Sequence, residues 1–192
     1  MEYFTGDWDI DSGIMYCFLE AVEFYSGTES AKMNERKSKK DSGRMKYGTT
    51  WRTFLRYNPT TGEKEFLPPA DENPKLGYTK VKCCNPVLEY VFKEFQSIYF
   101  PDFEYSSVQL TKNFQIKRHI DSKNIGESVL VAFGDCKGGY TIVETEQGNL
   151  VLDARLKPCK FNGSKYYHYV TPFTGDNRYS LVFYKLPKEI AK

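Results

Sequence analysis

The chain has 192 residues and a mass of 22.3 kDa, which suits one domain with a sizeable core and argues against two full domains. Its net charge of +2 permits a polyanionic partner without requiring one. No stretch approaches the roughly 18 apolar residues of a membrane span, and the acidic N-terminus does not read as a secretory leader. We therefore expect a soluble, intracellular protein, nuclear or cytoplasmic depending on its source.

The five cysteines are odd in number and form no CxxC pair. Reduced intracellular thiols are the simplest interpretation of such a set. The adjacent Cys83 and Cys84 leave open a soft-metal site or a redox pair.

The N-terminal part of the chain alternates between apolar and strongly polar segments. Residues 12–26 read as a helix or buried segment, with Ser12 as a possible N-cap. Residues 29–46 are polar and basic, which is typical of a mobile solvated loop and also suits an arm that binds phosphates. In the second interpretation, weak nucleic-acid contacts would come from Lys37, Lys39, Lys40 and Arg44.

A strand, a loop and a helix are predicted next. Residues 51–57 favour a strand, residues 58–62 its turn, and residues 68–77 a loop rich in proline. Asn85 as N-cap and Pro86 at the first helical position then open the clearest helix. Its apolar stripe, which we expect to pack against a sheet, consists of Val87, Leu88, Val91, Phe92, Phe95 and Ile98.

Beyond Pro101 the pattern becomes one of short strands separated by turns. The predicted strands are 104–112, 128–135, 140–144, 150–154, 160–161, 166–170 and 179–186. The predicted turns are 137–139, 146–149 and 162–163.

This order of elements predicts an α+β fold with a double-stranded β-helix, or jelly-roll, core and N-terminal helices packed on one sheet. The whole chain, 1–192, would be a single domain. Residues 1–100 would supply the helices and the basic loop, and residues 101–187 the jelly-roll core.

Only two histidines occur, His119 and His168, and both belong to one spaced set of polar residues. His119 and Asp121 are two apart, so an extended segment presents both on the same side. Two imidazoles and one carboxylate leave positions open on Fe(II), and Arg178 offers a planar fork for a carboxylate. The alternative is that one histidine lies satisfied in the core and the other on the surface.

The C-terminal residues 100–186 resemble the 2-oxoglutarate and Fe(II) dioxygenases, and within them the TET/JBP group that oxidises 5-methylpyrimidines in nucleic acid. An Asn follows by three residues the Asp that matches the metal ligand of the family pattern, and a glycine pair occurs at a strand turn. The final match runs from His168 through Arg178. The residues that carry the likeness are His119, Asp121, Asn124, Gly138, Gly139, His168, Pro172, Arg178, Ser180 and Tyr184.

The resemblance implies Fe(II) as cofactor and 2-oxoglutarate as co-substrate. His119, Asp121 and His168 would bind the iron. Arg178 and Ser180 would hold the distal carboxylate of 2-oxoglutarate. The catalytic set implied is therefore these three metal ligands with Arg178.

The resemblance also implies contacts to a target base. Asn124 would hydrogen-bond the base and Tyr184 would stack on it, which suits an amide and an aromatic face. Leu186 stands where the family places a base-contacting His, and the Cys-rich zinc region of the animal enzymes has no counterpart here. The implied partner is nucleic acid, with DNA favoured, and the target 5-methylcytosine or thymine.

Two other functions remain open at this point. A protein or small-molecule hydroxylase could use the same scaffold, because fold and metal site do not choose the substrate. A non-catalytic jelly-roll binding module is the third interpretation. The oligomeric state is not indicated by the sequence.

Overall fold

The computed structural model describes residues 2–22, 43–51, 55–57, 64–66, 78–81 and 86–186, with side chains described for 2–22 and 87–186. The helices are α1 (Trp8–Glu20) and α2 (Pro86–Tyr99). The strands are β1 (Gly43–Trp51), β2 (Leu55–Tyr57), β3 (Lys64–Phe66), β4 (Tyr78–Val81), β5 (Ser107–Lys112), β6 (Ser128–Phe133), β7 (Cys136–Gly138), β8 (Thr141–Thr145), β9 (Gly148–Leu152), β10 (Cys159–Phe161), β11 (His168–Val170), β12 (Phe173–Gly175) and β13 (Tyr179–Tyr184).

Helix α1 begins earlier than the sequence suggested. The carboxylate of Asp7 accepts from the backbone N–H groups of Asp9 and Ile10 at 2.9 and 3.3 Å, so Asp7 is the N-cap. The predicted N-cap Ser12 is wrong, because it lies inside the helix and its hydroxyl donates to the carbonyl of Asp9 at 3.2 Å. Residues 23–26 of the predicted helix lie outside the described part of the chain.

Helix α2 begins at Pro86, as predicted, and its core-facing stripe is narrower than expected. The predicted N-cap Asn85 lies outside the described residues. Val87 and Ile98 are 45% and 38% exposed, so their assignment to the stripe is wrong. The buried members are Leu88, Val91, Phe92 and Phe95.

The basic segment does not continue as a loop to Lys46. Strand β1 begins at Gly43 and pairs antiparallel with β5, where Arg44 stands opposite Thr111. The predicted strand 51–57 is also wrong as one element, because Trp51 ends β1 and β2 pairs with β3 instead. Main-chain pairing between strands decides these bounds, and local composition does not report it.

Some predictions for the N-terminal half fall outside the described residues. These are the contacts at Lys37, Lys39 and Lys40, the turn 58–62, the loop 68–77 and the pair Cys83–Cys84.

Among the described residues, six strands form the main sheet, in the order β10-β6-β13-β5-β1-β4. Both helices cover one face of it. Side chains of β13 alternate between the two faces, as the period of two in a strand requires. Tyr179, Leu181 and Phe183 pack under the helices, whereas Ser180, Val182 and Tyr184 are the intervening residues on the opposite face.

The opposite face packs against a second layer. That layer contains the sheet β11-β8-β9 and the pair β12-β7. Leu130 and Ala132 of β6 contact Val143 of β8 and Phe161 of β10 in a second apolar cluster. Two apposed antiparallel sheets with helices on one outer face confirm the predicted α+β jelly roll.

The C-terminal strands lie where the sequence predicted them, with shifts of up to three residues at their ends. Strands β7 and β12 were missed because each has only three residues and ends in glycine. Lys137 and Gly138, assigned to a turn, belong to β7 and pair with β12. Neither described helix is long and apolar enough to cross a membrane.

A buried carboxylate joins the two helices. Asp11 is fully buried and accepts four hydrogen bonds, from the N–H and hydroxyl of Thr5, the N–H of Gly6 and the hydroxyl of Tyr99, at 2.6–2.9 Å. Burial raises the pKa of Asp11, and these hydrogen bonds outweigh that effect and hold it below its usual value. The carboxylate therefore fastens the N-terminal segment to α2.

We predict that Asp11→Ala lowers the free energy of unfolding by about 3 kcal/mol, because it leaves four donors without their charged acceptor. Exposed Asp102→Ala is the control, with a change within about 0.5 kcal/mol. Since the folded-state pKa is depressed, the stabilisation is fully present above the unfolded pKa of about 3.9 and is lost progressively as the pH falls from there through the lower folded-state pKa. Urea unfolding of both variants at pH 7 and pH 3 measures this, and equal stability of wild type and Asp11→Ala at pH 7 contradicts it.

Candidate metal centre

Main-chain hydrogen bonds bring the two histidines together. His119 lies outside the named strands but forms an isolated antiparallel bridge with His168 on β11. Its N–H donates to the carbonyl of His168 at 3.0 Å, and the reverse bond measures 2.9 Å. The ring centroids are 4.2 Å apart. The backbone thus fixes two imidazoles side by side.

Asp121 is the third member of the group, and it lies on the same chain segment as His119. Its N–H donates to the carbonyl of Gly163 at 2.9 Å, which holds the segment against the loop before β11. Its Oδ1 is 3.5 Å from His119 Nε2, and its Oδ2 is 3.6 Å from His168 Nε2. Taken together, one ligand atom from each residue lies within 4.8 Å of the others.

These separations suit a shared metal ion. Two ligand atoms about 2.1 Å from one ion and at right angles to each other are about 3 Å apart. His119 Nε2 and His168 Nε2 lie 3.5 and 3.6 Å from different oxygens of the Asp121 carboxylate, so the three side chains must draw closer to share one ion. The predicted ligands therefore converge in the structure.

Each imidazole is oriented by a backbone carbonyl. His119 Nδ1 is 2.7 Å from the carbonyl oxygen of Lys117, and His168 Nδ1 is 3.1 Å from that of Tyr166. A carbonyl can only accept, so Nδ1–H donates in both bonds and Nε2 keeps its lone pair for a metal. Both Nε2 atoms lie on the Asp121 side.

The carboxylate is kept ionised by its neighbours. Burial raises the pKa of Asp121, but its interactions with the side chains of His119 and His168 outweigh this and lower it well below its usual value. His168 is 5% exposed, whereas the other two ligands are only half-buried. The candidate centre is therefore buried on the side of His168 and partly exposed to solvent on the side of His119 and Asp121.

Because Gly163 has no side chain, it leaves space for the side chains of His168 and Asp121. A Cβ on this residue would lie 3.0 Å from Phe161 Cε2, 3.2 Å from His168 Cε1 and 3.4 Å from Asp121 Oδ2. The sequence marked residues 162–163 only as a turn. Their place beside the ligands depends on tertiary packing and could not be read from the turn pattern.

A pocket of about 260 Å³ opens beside the three ligands. The other predicted contacts that line it are Ser180, Asn124 and Tyr184. Residues that the sequence did not single out also line it, among them Gln109, Leu130, Thr141, Phe161 and Val182. Gln109 comes from β5, which stands beside β13 in the main sheet.

Arg178 is not among the residues lining this pocket, whereas Ser180, two residues later in the chain, is. It is 1% exposed, and its Nη2 donates to the carbonyl of Gly139 at 3.0 Å. Among the described residues, Nε and Nη1 have no hydrogen-bond partner. Burial lowers the pKa of this guanidinium. An anionic ligand would supply the missing acceptors.

Ser180 follows Arg178 on the same face of the sheet and has a partner that the sequence did not suggest. Its hydroxyl is 2.6 Å from that of Thr111, directly opposite on β5. One of two paired hydroxyls must donate to the other, so one O–H remains free to donate elsewhere. The pair therefore adds a donor beside the guanidinium.

The chain matches no protein-family model. It also matches no curated protein. Among solved structures, it is similar to NgTET1 in complex with 5mC DNA, at 18% identity and a TM-score of 0.46, over 86% of this chain and 68% of that one.

It is similar as well to a prolyl-4-hydroxylase from Pseudomonas putida, at 11% identity and a TM-score of 0.46, over 97% of this chain and 90% of that one. A third structure is an oxidoreductase of the 2OG-Fe(II) oxygenase family from Burkholderia pseudomallei. The identity there is 14% and the TM-score 0.45, over 96% of this chain and 92% of that one. Since fold does not determine function, the side chains of this chain must support any assignment.

We predict that Asp121→Asn weakens divalent-metal binding by more than about 100-fold, beyond the loss typical of an outer-sphere partner. The substitution removes the negative charge that both imidazoles face. Exposed Asp176→Asn is the matched control and keeps wild-type affinity. Anaerobic titration calorimetry with Fe(II) measures both, and unchanged affinity in Asp121→Asn shows that the metal binds elsewhere.

Proposed function

We propose that this chain is an Fe(II)- and 2-oxoglutarate-dependent dioxygenase. The observation that supports this most directly is the convergence of His119, Asp121 and His168, with one ligand atom from each within 4.8 Å of the others. Two imidazoles and one carboxylate on one side of an ion leave other coordination positions free for a co-substrate and dioxygen. A metal with a full set of protein ligands would not offer them.

The surroundings fit 2-oxoglutarate as the co-substrate. A dicarboxylate that reaches a metal at one end needs a cation for the other, and Arg178 is a buried cation with unused donors. The hydroxyl pair of Ser180 and Thr111 adds a further donor nearby. A guanidinium binds a carboxylate more specifically than an ammonium does, because its planar fork matches the two oxygens.

Bound iron, with 2-oxoglutarate and dioxygen, supplies oxidation of an unactivated C–H bond to an alcohol, coupled to loss of carbon dioxide and formation of succinate. The chain orders the reactants. The two Nδ1–H donors fix the imidazoles, and the depressed pKa of Asp121 keeps its charge available to a dication. Leu130, Phe161 and Val182 provide apolar walls in the pocket that these three residues share.

For the substrate we propose a 5-methylpyrimidine in nucleic acid, 5-methylcytosine or thymine. Asn124 and Tyr184 line the pocket that also contains the metal ligands, which supports their predicted roles. An amide can both donate to and accept from a base edge. A base reaching such a pocket from a duplex must first be extruded from the stack.

A protein or small-molecule hydroxylase is the second candidate. Leu186 lines the pocket where the TET-type pattern has a base-contacting histidine, so this wall offers no hydrogen bond from its side chain. Together with Leu130 and Val182 it would suit an aliphatic group. The same assay separates the two candidates.

The test is to load the protein anaerobically with Fe(II), add 2-oxoglutarate, oxygen and 5-methylcytosine DNA, and analyse nucleosides and succinate by mass spectrometry. We expect 5-hydroxymethylcytosine, with its formation abolished in His119→Ala. Succinate without base oxidation would retain the dioxygenase and exclude 5-methylcytosine DNA as substrate. Absence of any turnover with metal bound would contradict the enzyme and favour a non-catalytic binding module.

We predict that Asn124→Ala raises the apparent KM for 5-methylcytosine DNA roughly five- to tenfold, the loss expected for one hydrogen bond. Succinate formation without DNA should not change, because Asn124 is not expected to contact the co-substrate. Exposed Asn149→Ala in β9 is the matched control. Equal KM values in the two variants would remove Asn124 from substrate recognition.

A further inference from the structure

A residue without a side chain holds the guanidinium of Arg178. The carbonyl of Gly139 accepts from Arg178 Nη2 at 3.0 Å, and the N–H of Gly139 donates to the carbonyl of Pro172 at 3.2 Å. Both backbone polar groups of Gly139 are therefore engaged. Gly139 has a φ of +74°, a left-handed backbone conformation that glycine adopts without strain.

A side chain at this position would occupy the space of the arginine. A Cβ on Gly139 would lie 2.7 Å from Arg178 Nε, 2.9 Å from its Cδ and 3.3 Å from Phe173 Cβ. Packed interiors do not accommodate such overlaps without movement. Arg178 is 1% exposed, so it has no solvent to move into and would have to change its rotamer.

Two other glycines with positive φ, Gly138 and Gly6, show that this contact is specific. A Cβ on Gly138 would lie 2.3 Å from the carbonyl oxygen of Pro172, so substitution there disturbs the pairing of β7 with β12. Gly6 has a similar φ of +86° and would meet nothing within 4 Å. Of these three, only Gly139 would direct its side chain at Arg178.

We infer that Gly139 is a positioning residue for the co-substrate, a conclusion that rests on the proposed function. Its carbonyl fixes one nitrogen of Arg178, and its missing side chain lets the guanidinium lie where Nη1 and the remaining N–H groups meet the distal carboxylate of a dicarboxylic keto acid. Gly139 acts through Arg178 and does not touch the ligand itself. The glycine pair in the sequence thus has two distinct tasks, one in strand pairing and one in placing the arginine.

The test compares two inhibitors on the Mn(II)-loaded protein by titration calorimetry. N-oxalylglycine carries a distal carboxylate, whereas oxalate chelates the metal without one. In Gly139→Ala we expect affinity for N-oxalylglycine to fall at least tenfold, while affinity for oxalate and for Mn(II) stays at the wild-type value. Gly6→Ala, which introduces the same backbone strain without a collision, should leave both affinities unchanged.

Equal loss for both inhibitors, or no loss for either, overturns the role of Gly139. Failure of the wild-type protein to bind N-oxalylglycine removes the proposed co-substrate instead, so the two failures are distinguishable. If Gly139→Ala does not fold, the collision is tested in an Arg178→Ala background by thermal unfolding. There Gly139→Ala should lower the midpoint no more than Gly6→Ala does, and a larger drop overturns the inference.

Discussion

The reciprocal pair of backbone hydrogen bonds between His119 and His168 is the interaction on which the centre depends. It joins a segment outside the named strands to β11 and so makes neighbours of two residues far apart in the chain. Because these bonds join main-chain groups, they fix the backbone from which both imidazoles extend. The orientation of each ring is then set by a hydrogen bond from its Nδ1 to the carbonyl of the residue two positions earlier, Lys117 or Tyr166. Asp121 then needs only the two-residue spacing of an extended segment to face both rings.

The charged side chains of this region fall into two groups, one that suits a cation and one that suits an anion. At one end, the carboxylate of Asp121 lies between two imidazoles and has a depressed pKa, which suits a dication. At the other, Arg178 is a buried guanidinium with two nitrogens that find no acceptor among the described residues. Leaving such a group unpaired destabilises the folded protein, since burial penalises its charge. A ligand with a metal-binding end and an anionic end would compensate both groups.

Part of this centre could be predicted from local signals in the sequence. The spacing of His119 and Asp121 and the period of two in β13 are short-range patterns. The contributions of Thr111 and Gly139 could not be predicted, because each depends on a contact with β13 or the residue before it, formed only in the folded chain. Strand β1 was missed for the same reason, since its pairing with β5 prevails over a basic composition that favours a loop.

The most direct test of the central claim is a crystal structure of the protein grown anaerobically with Mn(II) and N-oxalylglycine, with the metal located by anomalous scattering. The account predicts one strong anomalous peak within about 2.3 Å of His119 Nε2, His168 Nε2 and one carboxylate oxygen of Asp121. A peak bound through either Nδ1, or a metal held away from these three residues, would contradict it.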